Sequence, residues 1–315
     1  DGGSLQMLKV VGVDRAHLEA QQAIGTTYDV EWVTIDDPDP TFAPGTTNNQ
    51  ALVAVDDRID VLEHAADGSV FLLNAPGGAD RVWEEFGVRG EGVVIGQSDS
   101  GADGNHPKLK ETYRGNASGD DYNWFDPWNG RPSPYDEGGH GTHTVGTMVG
   151  DDGGTNRIGM APEARWIACR NMNNGVGAIP MYLECMQWFL APTDMNGLNP
   201  NPAKSPHVIN NSWGCVEGCP PPALQDTLRA SRSAGIFYAV SAGNDGGEGP
   251  VFLCNTIYHP LARYPEAFTV GATNYTTDAI APFSSRGSVL GDPTAPLGLI
   301  KPNVSAPGVN IRSAL

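Results

Sequence analysis

Two textures of hydrophobic and polar positions divide the chain near residue 74. Downstream, short apolar runs of β character recur: EGVVIGQSDSG (91–101), RWIACRNM (165–172), HVINNSWG (207–214), GIFYAVSAGNDG (235–246) and AFTVGATN (267–274). Between them lie amphipathic helical patterns such as PMYLECMQWFLAP (180–192) and PALQDTLRASRSAG (222–235). Strands that alternate with helices predict βαβ units and a parallel sheet. Upstream, residues 5–72 read as a small α/β unit. LQMLKVVGV (5–13) is a candidate strand. DRAHLEAQQAIG (14–25) is a short helix capped by Asp14 and stopped at Gly25, and YDVEWVTI (28–35) and ALVAV (51–55) are further strands. The last residues, KPNVSAPGVNIRSAL (301–315), again rise into an apolar strand pattern.

Composition narrows the function classes. With 39% hydrophobic and 18% charged residues the 315-residue chain is globular, and its 40 glycines and 25 prolines call for many tight loops. The net charge of −18 leaves no basic stripe to neutralise phosphates, which argues against nucleic acid. The charge is uneven: residues 1–80 carry 14 acidic and 3 basic side chains. No stretch approaches the roughly 20 apolar residues that cross a bilayer. Five cysteines, at 169, 185, 215, 219 and 254, fit no zinc spacing. One or two disulfides with a leftover thiol are expected, and with them an oxidising compartment, secreted or at the cell surface.

In parallel sheets chemistry collects beyond the carboxyl ends of the strands, and three such ends stand out. Asp99 follows an apolar run and precedes Ser100-Gly101; it is a turn residue or an acid that orients a histidine. His140 lies in DEGGHGTHTVGTMVG (136–150), where many small residues weaken a helix and admit close backbone approach, the setting of a general base. His140 and His143 share a helical face, so a metal pair is an alternative. Against it, HExxH is absent, and the nearest acids, Asp136 and Glu137, sit in the preceding loop. Asn244 ends the third run in SAGN; it is a turn residue or a donor to a developing oxyanion.

Taken together, SDSG, GHGTHTVGT and SAGN in this order resemble the subtilisin-like serine proteases, the subtilases. The resemblance runs over about residues 74–315. HPKLKETYRG, YNWFDPWNG, NNSWG and KPNVSAPGVNIRS look most like the bacillopeptidase F branch. It implies a three-layer α/β fold with a mainly parallel central sheet, preceded by the small acidic α/β unit of residues 1–73. That unit would be a prodomain, its remnant or an accessory extension. It further implies that Asp99 orients His140, that His140 is the base, and that Asn244 binds the oxyanion. Ser212, Trp213 and Gly214 would pair with a polypeptide substrate, opposite an edge of Gly175, Val176 and Gly177. Trp213 replaces a smaller aliphatic residue and either narrows the specificity pocket or packs beneath it.

No cofactor is needed for such chemistry, and structural calcium is common in the family. Asp151, Asp152 and Asn156 offer oxygen ligands without a recognisable pattern. Cys169 and Cys185 flank one loop-and-helix unit and are expected to pair, whereas Cys219 is left with Cys254 or Cys215. The family's nucleophile sits in a GTSMA-type turn that does not occur here; Ser284, Ser285 and Ser305 match structural loops instead. The serine is therefore expected in a continuation or a second chain, and this stretch should be inert alone. The other readings are a scaffold or binding subunit that lost its nucleophile and a metal-dependent hydrolase using His140 and His143.

Overall fold

The computed structural model describes strands at Val30–Trp32 (β1), Gln50–Val55 (β2), Arg58–His64 (β3) and Val70–Leu72 (β4). Beyond them it describes residues 79–151, 158–214, 221–247, 253–289 and 299–314. β1–β4 form an antiparallel sheet in sequence order. β1 and β2 fall within or overlap the strands expected at 28–35 and 51–55; the strand at 5–13 and the helix at 14–25 lie outside the described residues. β3 and β4 were not foreseen. Val55 pairs with Arg58, and the sequence around this hairpin lacks the glycine that usually announces one.

The remaining elements build an α/β unit of three layers. Helix α1 is Ala79–Phe86. The central sheet contains β5 (Val94–Asp99), β6 (Trp124–Phe125), β7 (Arg165–Arg170), β10 (Val208–Asn211), β11 (Phe237–Ser241), β12 (Phe268–Asn274) and β15 (Val304–Val309). Two small ribbons, β8 with β9 (Met172–Asn173, Val176–Gly177) and β13 with β14 (Gly287–Ser288, Ile300–Lys301), lie outside it. The sheet order is β15-β12-β11-β10-β5-β7-β6, and every pairing is parallel. The five apolar runs expected as strands downstream of residue 74 are strands. They read as continuous apolar stretches because both faces of a parallel sheet are covered.

The alternation in β7 shows how. Ile167 and Cys169 join a core with helices α3 (Ile179–Leu190) and α4 (Pro221–Ser233), through Tyr182, Cys185, Met186, Phe189, Leu224 and Leu228. Trp166 and Ala168 face the other way, against Val145 and Val149 of helix α2 (His140–Val149). Successive side chains on opposite faces are what the strand's period of two demands. Cys169 and Cys185 are joined in a disulfide, Cα atoms 5.6 Å apart, which staples β7 to α3. Cys254 is exposed and bonded to no described cysteine; Cys215 and Cys219 lie outside the described residues. Closing a loop with a sequence separation of 16 restricts the unfolded chain by about 3 kcal/mol. The double variant Cys169→Ala/Cys185→Ala should therefore melt roughly 6–12 °C lower. A calorimetric shift under about 2 °C would show that packing alone fixes α3 on the sheet.

The connectivity decides where a site can form. The chain enters the sheet at β5, builds outward to β6 and β7, then returns to the other side of β5 and adds β10, β11, β12 and β15 in turn. The direction of winding reverses at β5–β10, the topological switch point beyond whose carboxyl strand ends open α/β sheets place their sites.

Candidate active site

Asp99 is the last residue of β5, at this switch point, and is fully buried. Its Oδ1 accepts from the Ser100 amide (2.7 Å) and lies 2.7 Å from Nδ1 of His140. The pair spans 41 residues of sequence, and two glycines let it close. A Cβ on Gly141 would strike the Gly101 carbonyl, and one on Gly101, whose φ is +118°, would strike the Tyr135 carbonyl. The small residues around His140 thus serve close approach of α2 to the end of β5.

His140 opens α2, and its side chain remains about half exposed, at 55%. With Nδ1 donating to the carboxylate, the lone pair is left on Nε2. The hydrogen bond with Asp99 raises the imidazole above its usual range; burial opposes this, and the charges of Asp99 and Asp136 add to it. Asp136, considered from sequence only as a metal ligand, has a different task. One of its carboxylate oxygens accepts from the Thr142 amide and hydroxyl (2.8 and 2.7 Å), the other from Ser100 Oγ (2.9 Å). Ser100 Oγ in turn accepts from the Gly141 amide at 2.9 Å. The first turn of α2 is therefore capped by a loop acid that also grips the residue after Asp99, an arrangement suited to the positive end of a helix.

Asn244 lies exposed in the turn after β11. Gly243 has φ +103°, and its carbonyl accepts from the Ser285 amide at 3.0 Å; Ser285 Oγ accepts from the Asp245 amide at 3.0 Å. Ser284 and Ser285 are buried, and the Ser284 hydroxyl accepts from the Ala272 amide, so both hydroxyls are engaged by main chain. A second histidine–carboxylate pair, unforeseen from sequence, supports the same turn. His259 Nε2 lies 2.9 Å from Asp245 Oδ2, and the ring presses against the backbone of both Gly214 and Gly243. The hydrogen bond from Tyr258 to Asp245, with burial behind it, pushes the Tyr258 phenol up to about 12.

The two segments expected to flank a substrate both lie within the described residues. Ser212, Trp213 and Gly214 follow β10 without regular structure, and Ser212 Oγ is bonded to Asn210, which donates to Gln97 Oε1 at 3.1 Å. The buried Gln97 side chain donates to Thr144 of α2, so a polar chain runs from the helix of His140 to Ser212. Opposite, Asn174 and Gly175 both have positive φ and close the β8–β9 hairpin, the I′ pattern that matches strand twist. Arg170, fully buried beside Asp99 in register, anchors this hairpin through a 2.5 Å bond to Asn173 Oδ1 while facing the Asp126 carboxylate at 3.4 Å. Trp213 is 7% exposed and belongs to the main core cluster.

Of the calcium candidates, Asp152 and Asn156 lie outside the described residues, and among the described residues no group of three or more His, Cys, Asp or Glu side chains converges. No helix among them is long and apolar enough to cross a membrane.

Comparison with known proteins gives the following likenesses. The sequence model described as the Subtilase family matches residues 90–315. Bacillopeptidase F of Bacillus subtilis (strain 168) is 43% identical over 266 residues, 80% of this chain and 17% of that protein. Subtilisin E of the same strain is 32% identical over 231 residues, 73% of this chain and 50% of that protein. Subtilisin Savinase of Lederbergia lenta is 30% identical over 228 residues, 72% and 68% of the two chains. The chain thus spans a sixth of the first relative and half of the second.

Proposed function

Since the chain belongs to the subtilase family, we propose that residues 74–315 form most of the catalytic unit of a subtilisin-type serine endopeptidase, with residues 1–73 as a separate small unit. One observation carries this reading: Asp99 and His140 meet at 2.7 Å at the switch point, which leaves Nε2 of a half-exposed imidazole as the base. In this mechanism His140 takes the proton of a serine hydroxyl as that oxygen attacks the scissile carbonyl. It then returns the proton to the leaving amine. Asp99 fixes the tautomer and stabilises the imidazolium. The Asn244 amide donates to the oxyanion of the tetrahedral intermediate. The substrate lies as an added strand between Ser212–Gly214 and Gly175–Gly177, with affinity from main-chain hydrogen bonds. The chemistry needs no cofactor. The Cys169–Cys185 disulfide supports work outside the cytoplasm.

The nucleophile, on this reading, lies in sequence following residue 315. Treating the full-length protein with a fluorophosphonate probe and mapping the labelled peptide tests it: one modified serine beyond residue 315 is expected. Absence of labelling in folded protein sinks the peptidase reading, and labelling of Ser284, Ser285 or Ser305 moves the nucleophile into this stretch. Removal of the oxyanion donor gives a second test. Asn244→Ala should lower kcat about 100- to 1,000-fold with little change in KM, as the corresponding loss does in subtilisin. A decrease under about threefold would take Asn244 out of that role.

A further inference from the structure

A buried aromatic pair lies against both segments assigned to the substrate in the proposed reading. Tyr182, in the first turn of α3, and Trp213, in the segment after β10, stack with ring centroids 3.9 Å apart and planes 11° from parallel. They are only 4% and 7% exposed. Tyr182 also reaches the opposite edge, where a Cβ on Gly177 would collide with its phenolic end. One aromatic pair therefore bridges the Val176–Gly177 edge and the Ser212–Gly214 edge. Both rings belong to the main core, where Met186 and Phe189 on α3 and Ile209 on β10 back them.

A peptide held as a strand between these edges turns alternate side chains toward that pair. Two stacked rings, packed at core density and wedged under a glycine, cannot withdraw to admit a large group without losing their own contacts. We propose that Tyr182 and Trp213 impose a small residue, Gly, Ala or Ser, at the inward-facing position of a bound peptide that crosses between the two edges. The proposal rests on the peptidase reading and deepens it: the substrates are polypeptides with a small side chain at one fixed distance on the acyl side of the cleaved bond. The two aromatics determine specificity by filling space and take no part in the chemistry.

Positional-scanning peptide libraries on the full-length protein test this. The native protein should show one acyl-side position at which Ala exceeds Leu and Phe in kcat/KM by at least about tenfold, the discrimination that a methylene-scale misfit gives. Trp213→Ala and Tyr182→Ala should shift the Leu-to-Ala ratio at that position, and at no other, toward the bulky residue by about tenfold or more. Trp213→Phe, which retains a stacked ring, should restore the exclusion. Folded sites are counted in each variant by fluorophosphonate titration, and Trp213→Leu serves where alanine is not tolerated. An active native protein that accepts bulky residues at every acyl-side position overturns the inference, as do folded variants with unchanged ratios. If nothing is cleaved and the probe does not label, the peptidase reading itself has failed, and this inference falls with it.

Discussion

His140→Ala is expected to lower kcat for peptide cleavage by the full-length protein about a million-fold, the scale of loss when the base is removed from subtilisin. The side chain is half exposed and contributes little to the core, so the fold should persist. The Asp136 cap acts on Ser100 and Thr142 and does not depend on the imidazole. Circular dichroism and thermal melting should therefore match the parent, while steady-state turnover falls to the residual supplied by binding and the oxyanion donor. Turnover within tenfold of the parent would remove His140 from the mechanism. Retained turnover that a chelator abolishes would instead favour metal chemistry.

Asp99→Asn is expected to cost about ten thousand-fold in kcat, because an amide can present the wrong partner to Nδ1 and so hold the wrong tautomer. It also changes the pH profile, and the direction follows from the bond. Asp99 raises the His140 imidazole, and a base must be neutral to act, so the acid limb of kcat/KM lies above the range of a free histidine. Without the carboxylate that limb should move to lower pH, with Asp136 supplying only a weaker residual pull. The stability linkage has the opposite sense. A folded-state value above the unfolded one stabilises the protein fully below the unfolded value, and this contribution disappears as pH rises through the folded value. The native protein should thus lose the His140 contribution to stability over the window in which it gains activity. An acid limb unmoved in Asp99→Asn would mean that another group sets it.

The sequence showed the sheet and the Asp99–His140 pair more clearly than their supports. VVIGQSD and RWIACR are read as buried parallel strands because both faces of each are covered, and the glycines around His140 announce a close approach that the Gly101–Gly141 contact explains. The supports had no such signal. Asp136 grips Ser100 across 36 residues, and Ser285 holds the turn of Asn244 across 40; each is an ordinary polar residue in an irregular loop. His259 and Asp245 are only 14 apart, but nothing in their neighbours indicates that the ring fills the space between Gly214 and Gly243. Trp213 gave no sign in sequence of its partner, because it stacks on Tyr182 from another element. Periodicity reports which face of an element is covered; it does not report which distant side chain covers it.

The central position of β5 also bears on how the protein would fail. Asp99 belongs to a strand paired on both sides, the kind of core element whose amide protons are expected to exchange only at high opening free energy. Asn244 belongs to an exposed turn held by a few bonds from Ser285 and Asp245, the kind of segment that opens locally at far lower free energy. On the proposed reading, gentle heating should therefore loosen the turn of Asn244 first, while Asp99 stays in place until the sheet melts. A heat-inactivated sample cooled before that point should recover without refolding its sheet.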